Sequence, residues 1–440
     1  MEVTVHARSA TVVAIASLAS AVGAARAQTP DDDVAALVAG EPFQSAVAFL
    51  TRDYDRFVAE MIRLTEIPAP PLAEQERALA YLEMLREHRL ADVEMDAEGN
   101  VMGVRRGTGR GPMLAVIAHL DTVFLAGTDV TVKRAGTRLL APGVGDDSRG
   151  LALMLAVLRA LDGAGVLTAN DILFVGSVGE EGVGDLRGAR FLFQEGRYAK
   201  RIGQVIAIDL TNESTDIWRV ANAGIGVIRY RVTFRGPGGH SYEAFGLVNP
   251  ANALADAITA LSRSAVPQEP KTTFNVGVVG GGTSVNSIPS EVWMDVELRS
   301  ESSEELERLE KALLAGIDTA VARENARGST ASGAIASDVK VIGRRPAGQT
   351  PVSSPLVRTV AAAARAFGFT PEYRAESTDA NIPLSIGIAA VTIGRGPGGR
   401  AHSVEEWTDV EPESVLRAQK VVLASVLGAA GSAPATAHIN

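Results

Sequence analysis

Six histidines and no cysteine occur in this chain of 440 residues. Any metal site must therefore be built from His, Asp and Glu. His119, His240 and His402 each stand in a Gly-rich or acidic context, far apart in sequence. His119-Leu120-Asp121 follows the apolar run 113–118, which reads as a buried strand. Gly143-Val-Gly-Asp146-Asp147-Ser-Arg-Gly150 stands at the mouth of 148–161, a run apolar almost all round that reads as a buried helix. A helix N-cap explains one of these two acids. It does not explain both, and a buried carboxylate without compensation is costly. Glu180-Glu181 follow the strand pattern 171–178, and Asp209 closes the pattern 204–208. Such strand ends are where open α/β sheets bind ligands. Acids in phase with consecutive strand ends repel one another unless cations hold them. With His119 and His402 they form the N/O ligand set of zinc or a similar divalent metal. The number of ligands suits two ions sharing one carboxylate. Paired ions can activate a water and polarise a carbonyl. Glu180, the spare acid beside a ligand, is placed to take that water's proton.

The elements that must position these groups fall into two textures. Before residue 222, and again after Pro351, short apolar strands alternate with helices, which predicts a largely parallel sheet covered on both faces. The later part reads as a helix at 355–367, a strand at 390–393 and a helix at 413–427. Between the two parts the order is strand 227–234, helix 249–264, strands 273–279 and 292–298, helix 302–325 with Ser303 as its cap, and strand 339–342. That β-α-β-β-α-β order is the ferredoxin-like unit. The fold class is thus α/β: a mainly parallel-sheet catalytic domain (28–222 and 346–430) carrying an inserted α+β domain (223–345).

The motifs HLDT, GDDSRG, GEEG, the strand-end Asp209, GGHS and AHSVEEW follow one another in an order that resembles one family. It is the dizinc metallopeptidase family of glutamate carboxypeptidase, tripeptide aminopeptidase, aminoacylase and succinyl-diaminopimelate desuccinylase, and the likeness runs over about residues 55–428. The resemblance implies that His119, Asp146 and Asp209 hold one metal, and that Asp146, Glu181 and His402 hold the other. Asp146 rather than Asp147 is the bridge by the family's G-x-x-D-D-K-x-G pattern, although Ser148-Arg149 replace the usual Lys and small residue. It further implies that Asp121 orients His119, that Glu180 serves as general base and then acid, and that the inserted domain is a dimerisation domain or lid. His240 would reach the neighbouring protomer's site to steady the oxyanion. Asn286 and Arg299 match substrate-contact positions, and a guanidinium suits a terminal carboxylate. Residues 377–381 and 394–399 read as loops around the site without an assigned role.

The expectation is an exported, homodimeric hydrolase with two divalent ions, zinc first and cobalt or manganese as alternatives, acting on short peptides or N-acyl amino acids. Asp at position 209 is the commoner choice among aminopeptidases, dipeptidases and aminoacylases, but Arg299 serves either direction, so the direction stays open. A binding protein on the same fold is the alternative, against which the intact Glu180 speaks. A serine hydrolase is disfavoured because no G-x-S-x-G elbow is present. Residues 1–27 read as a secretory signal, with an apolar stretch at 10–24 and Ala25-Arg26-Ala27 as the cleavage pattern, so a periplasmic or secreted protein is expected. No later stretch is apolar enough to span a membrane. Residues 431–440 form a small, polar tail. The formal charge, 42 − 52 = −10, and the lack of any Lys/Arg-rich run exclude a nucleic-acid partner.

Overall fold

In the computed structural model, which describes residues 29–109, 111–212 and 214–431, the strand Met113–His119 runs through the middle of a 12-stranded sheet. The signal segment and all of the tail except Gly431 lie outside the described residues. Every residue of this strand is buried because both faces of the sheet are covered. Leu114, Val116 and Ala118 face one core, shared with Ser148–Gly163, Tyr54–Thr65, Pro355–Ala366 and Pro412–Ala430. Met113, Ala115 and Ile117 face the other, shared with Arg187–Gln194 and Asn381–Ser385. The alternation is the period of two of a pleated strand.

Four neighbouring strands are parallel, in the order Ile172–Ser177, Met113–His119, Ile202–Asn212 and Ala389–Gly399. Antiparallel strands extend this centre on both flanks: Val101–Arg105 and Ala91–Met95 on one side, Trp407–Asp409, Arg138–Leu140 and Lys133–Ala135 on the other. The sheet is therefore mixed, with a parallel core at the site. Ile202–Asn212 runs three residues past Asp209, so that acid projects from within the strand rather than closing it.

Two further helices, Pro30–Ala39 and Glu41–Arg52, precede this unit. Thr29 caps the first in a reciprocal capping box with Asp32. Val34, Phe43, Ala46 and Leu50 enter the main core. Among the described residues no single helix is long and apolar enough to cross a membrane; this bent pair passes a test of length and composition only when taken together.

Residues 226–345 build a separate four-stranded antiparallel sheet, in the order Thr272–Gly281, Glu291–Ser300, Gly226–Arg235, Ala336–Arg345. Its helices Pro250–Ser262 and Ser303–Arg327 pack on it around their own core of Val232, Phe234, Met294, Leu309 and Ile317. This is the ferredoxin-like insertion. Ser302, not Ser303, caps the long helix, its hydroxyl accepting the amide of Glu305 at 3.3 Å.

Candidate metal centre

His119, at the C-terminal end of the central strand, is buried with Nε2 at 3.0 Å from Asp146 Oδ1 and 3.5 Å from Asp209 Oδ1. Its Nδ1 lies 3.0 Å from the main-chain carbonyl of Asp121. With Nδ1 donating to that carbonyl, Nε2 is the nitrogen that faces the acids, and it would offer a lone pair to a metal once its own proton is lost. His402 brings Nε2 to 2.9 Å from Glu181 Oε1 and 3.3 Å from Asp146 Oδ2. Asp146 thus faces one imidazole with each oxygen. Donor atoms of His119, Asp146 and Glu181 lie within 4.8 Å of one another, as do those of His119, Asp147 and Asp209. Two imidazoles and several carboxylates converging in this way are a donor set that fits divalent ions.

The two adjacent aspartates divide their tasks. Asp147 Oδ1 accepts the amide of Gly150 and so caps the buried helix, while Oδ2 accepts the amide of His119. Its oxygens are already bound to the backbone, and Asp146 faces the histidines. The turn also needs glycine at 150: a Cβ there would stand 2.3 Å from Asp147 Oδ1 and 2.4 Å from the Ile208 carbonyl.

Asp121 does more than contact His119. Its carboxylate accepts the amides of Glu180 at 3.0 Å and Glu181 at 2.7 Å, which fixes the acidic loop against the central strand. Burial favours the neutral acid, but His119 and these amides outweigh it and hold Asp121 below its ordinary pKa. Burial also opposes charge on His119, yet Asp121, Asp146 and Asp209 together hold its pKa well above the usual value. Asp146 and Glu181 raise His402 to about 10.

Three buried groups act here that the sequence reading did not single out. Glu406, inside the AHSVEEW motif, accepts amides of Gly143 at 2.8 Å, Gly145 at 2.9 Å and Asp146 at 2.7 Å, and so holds the loop that presents Asp146. Arg345 donates to Glu180 Oε1 at 3.1 Å, to the Glu180 carbonyl and to Ser377 Oγ. Burial drives the Glu180 carboxyl well above its ordinary pKa, against the pull of Arg345. Arg395 reaches Asp209, Asp146 and Asp147 together. An open cavity of about 270 Å³ has Asp146, Glu180, Glu181, Asp209, Arg395 and His402 in its wall.

His240, Asn286 and Arg299 do not line that cavity. His240 and Asn286 are exposed neighbours at one end of the inserted domain, joined by the two-residue ladder Gly239–His240 with Ser287–Ile288 and by the Ser241 amide donating to the Asn286 carbonyl. Exposed Tyr242, Phe245 and Val285 stand in the same loops. Arg299 spends its guanidinium on Glu297 of its own strand, at 2.6 and 3.1 Å.

Comparison with known proteins agrees with this architecture. The model of Peptidase family M20/M25/M40 matches residues 115–428. Carboxypeptidase G2 of Pseudomonas sp. (strain RS-16) is 28% identical over 218 residues, 49% of this chain and 50% of that protein, so the match spans half that relative's length. Acetylornithine deacetylase of Myxococcus xanthus is 28% identical over 341 residues, 74% of this chain and 83% of its own. The crystal structure of aminopeptidase PepT from Bacillus cereus ATCC 10987 superposes with a TM-score of 0.71 at 22% identity, covering 86% of this chain and 99% of that one.

Proposed function

The chain belongs to peptidase family M20/M25/M40, and from that premise we propose that it is an exported dizinc hydrolase of amide bonds in short peptides or N-acyl amino acids. The observation that carries this reading is Asp146, with one oxygen toward His119 and the other toward His402. In this reading His119, Asp146 and Asp209 hold one ion, and Asp146, Glu181 and His402 the other. Divalent ions in such a pair supply a water acidified toward neutrality and polarise the scissile carbonyl.

The protein's own groups do the rest. Glu180 accepts a proton on its carboxylate and returns it to the leaving nitrogen. Burial, against the pull of Arg345, makes its carboxylate a stronger base than an exposed glutamate. Asp121 sets the angle of the Glu180–Glu181 loop and the tautomer of His119.

Dimerisation through the inserted domain is part of the proposal. His240 lies away from its own chain's cavity, beside the exposed apolar residues Tyr242, Phe245 and Val285. A twofold pairing that covers these residues would offer His240 to the partner's substrate, where it steadies the negative charge developing on the carbonyl oxygen. Asn286 accompanies it, and Arg299 meets a substrate carboxylate if it leaves Glu297. Export rests on the pattern of residues 1–27.

The relatives' names include a carboxypeptidase, a deacetylase and an aminopeptidase. A panel of dipeptides, tripeptides and N-acyl amino acids therefore tests the reading, assayed after chelation and after zinc is restored. Zinc-dependent release of an amino acid is the expected result. Zinc-independent turnover, or none on any member, contradicts it.

A further inference from the structure

Arg395 is a guanidinium buried to 2% exposure in the midst of the carboxylates assigned to metal. Its Nη1 lies 2.6 Å from Asp209 Oδ1, 3.3 Å from Asp146 Oδ1 and 3.4 Å from Asp147 Oδ1, and it also bonds the Asp209 carbonyl. Its Nη2 donates to Thr211 Oγ1 at 3.0 Å. Asp209 Oδ1 and Asp146 Oδ1 are the two oxygens that stand closest to His119 Nε2. The guanidinium and a divalent ion on the Asp209 side thus draw on the same two oxygens. The opposite side, formed by His402, Glu181 and Asp146 Oδ2, makes no such contact with Arg395.

Adjacent buried carboxylates repel strongly unless a cation lies among them. Arg keeps its charge under all ordinary conditions and spreads it over a planar fork that meets several oxygens. It supplies that cation whether or not an ion is bound. A fixed +1 and an arriving +2 a few ångströms apart repel each other, so the ion on the Asp209 side is bound against this charge.

We propose that Arg395 is a resident counter-cation: it holds Asp146, Asp147 and Asp209 in position before metal arrives, and it makes the Asp209-side ion the weaker of the two. By linkage, a group that stabilises the metal-free state more than the loaded one lowers metal affinity, and its removal raises it. Arg395 is a positioning residue in this scheme, since its contacts are with the ligands.

The inference rests on the metal-centre reading above, and its test has an arm that needs no metal. Arg395→Met keeps length and removes charge; Arg395→Lys keeps charge. Each is stripped with chelator, melted with and without zinc, and titrated with zinc calorimetrically. The metal-free Arg395→Met protein should melt lower than wild type by at least about 3 °C, and zinc should raise its melting temperature by more than it raises the wild type's. Its weaker zinc should bind at least about tenfold more tightly than in wild type. Arg395→Lys should stay near wild type in both measurements. Unchanged melting of metal-free Arg395→Met, or weaker zinc bound no more tightly, overturns the proposal. So does a loss in Arg395→Lys as large as in Arg395→Met. If metal-free Arg395→Met does not fold at all, a folded Arg395→Lys supports the proposal and an unfolded one overturns it. A wild-type protein that binds no zinc would refute the metal-centre reading instead, while the metal-free melting curves still report on Arg395.

Discussion

Replacing Glu406 by Gln perturbs Asp146 through its backbone and leaves its side chain unaltered. In the native protein Glu406 Oε2 accepts the amide of Gly143, and Oε1 accepts those of Gly145 and Asp146. A glutamine keeps one carbonyl oxygen, enough for the Gly145 and Asp146 amides. Its NH2 group must then face the Gly143 amide, donor against donor. One charge-assisted bond is lost, worth about 1.5–3 kcal/mol. Part of this is offset, because burial and the neighbouring Asp146 push the Glu406 carboxyl up to about 7, so its charge is costly to keep. The net loss falls on the loop that carries Asp146, and a metal-binding loop so weakened should bind zinc about 10–100-fold less tightly. Competition titration against a chromogenic chelator measures this, with circular dichroism to check that the fold is intact. A folded Glu406→Gln protein that binds zinc within about threefold of wild type, well short of the loss expected for such a supporting partner, would refute the reasoning.

Asp146→Ala should lose both ions and Glu181→Ala chiefly the one shared with His402; elemental analysis after dialysis decides, and two tightly held ions in Asp146→Ala would break the ligand map. His402, raised to about 10, and His119, held well above its usual value, are protonated in the metal-free protein at neutral pH and must lose a proton to bind metal. Apparent zinc affinity at each site should therefore weaken by about tenfold for each unit the pH falls; zinc titrations at three pH values with a flat response would contradict this. Mixing inactive Glu180→Ala and His240→Ala proteins should restore activity in heterodimers, because one of the two sites then has both groups; a dead mixture with heterodimers verified by mass would exclude action across the interface.

The histidines and acids that the fold brings together are more legible in the sequence than the groups that support them, for a physical reason. His119 and the acids of the Glu180–Glu181 loop follow runs whose burial is written in unbroken apolar residues, so strand and site were legible together. Asp209 follows an apolar run of the same kind, though its strand continues to Asn212. Asp147 fitted the helix-cap reading, and its bond to the Gly150 amide is that cap. The supports carry no local pattern. Glu406 bonds backbone amides some 260 positions away. Arg345 meets Glu180 across 165 positions. Arg395 sits in a Gly-rich run that reads as a loop but forms the end of Ala389–Gly399. Lys133–Ala135 and Arg138–Leu140 are short and mostly exposed, so no alternation marked them as the antiparallel flank of the sheet. The first two helices were legible in retrospect, since Thr29-Pro30-Asp31-Asp32 is a capping box with proline at the first helical position.

In the proposed function a metal-bearing centre hydrolyses an amide with Glu180 as its proton carrier. Glu180→Gln tests it most directly, measured for zinc content and for kcat on whichever substrate the panel identifies. The expected result is as many zinc ions per chain as in wild type, two, and a kcat lower by about 10²–10⁴-fold. Turnover close to wild type, or loss of an ion from the variant, would contradict it: the first would remove Glu180 from the chemistry, and the second would make it a ligand.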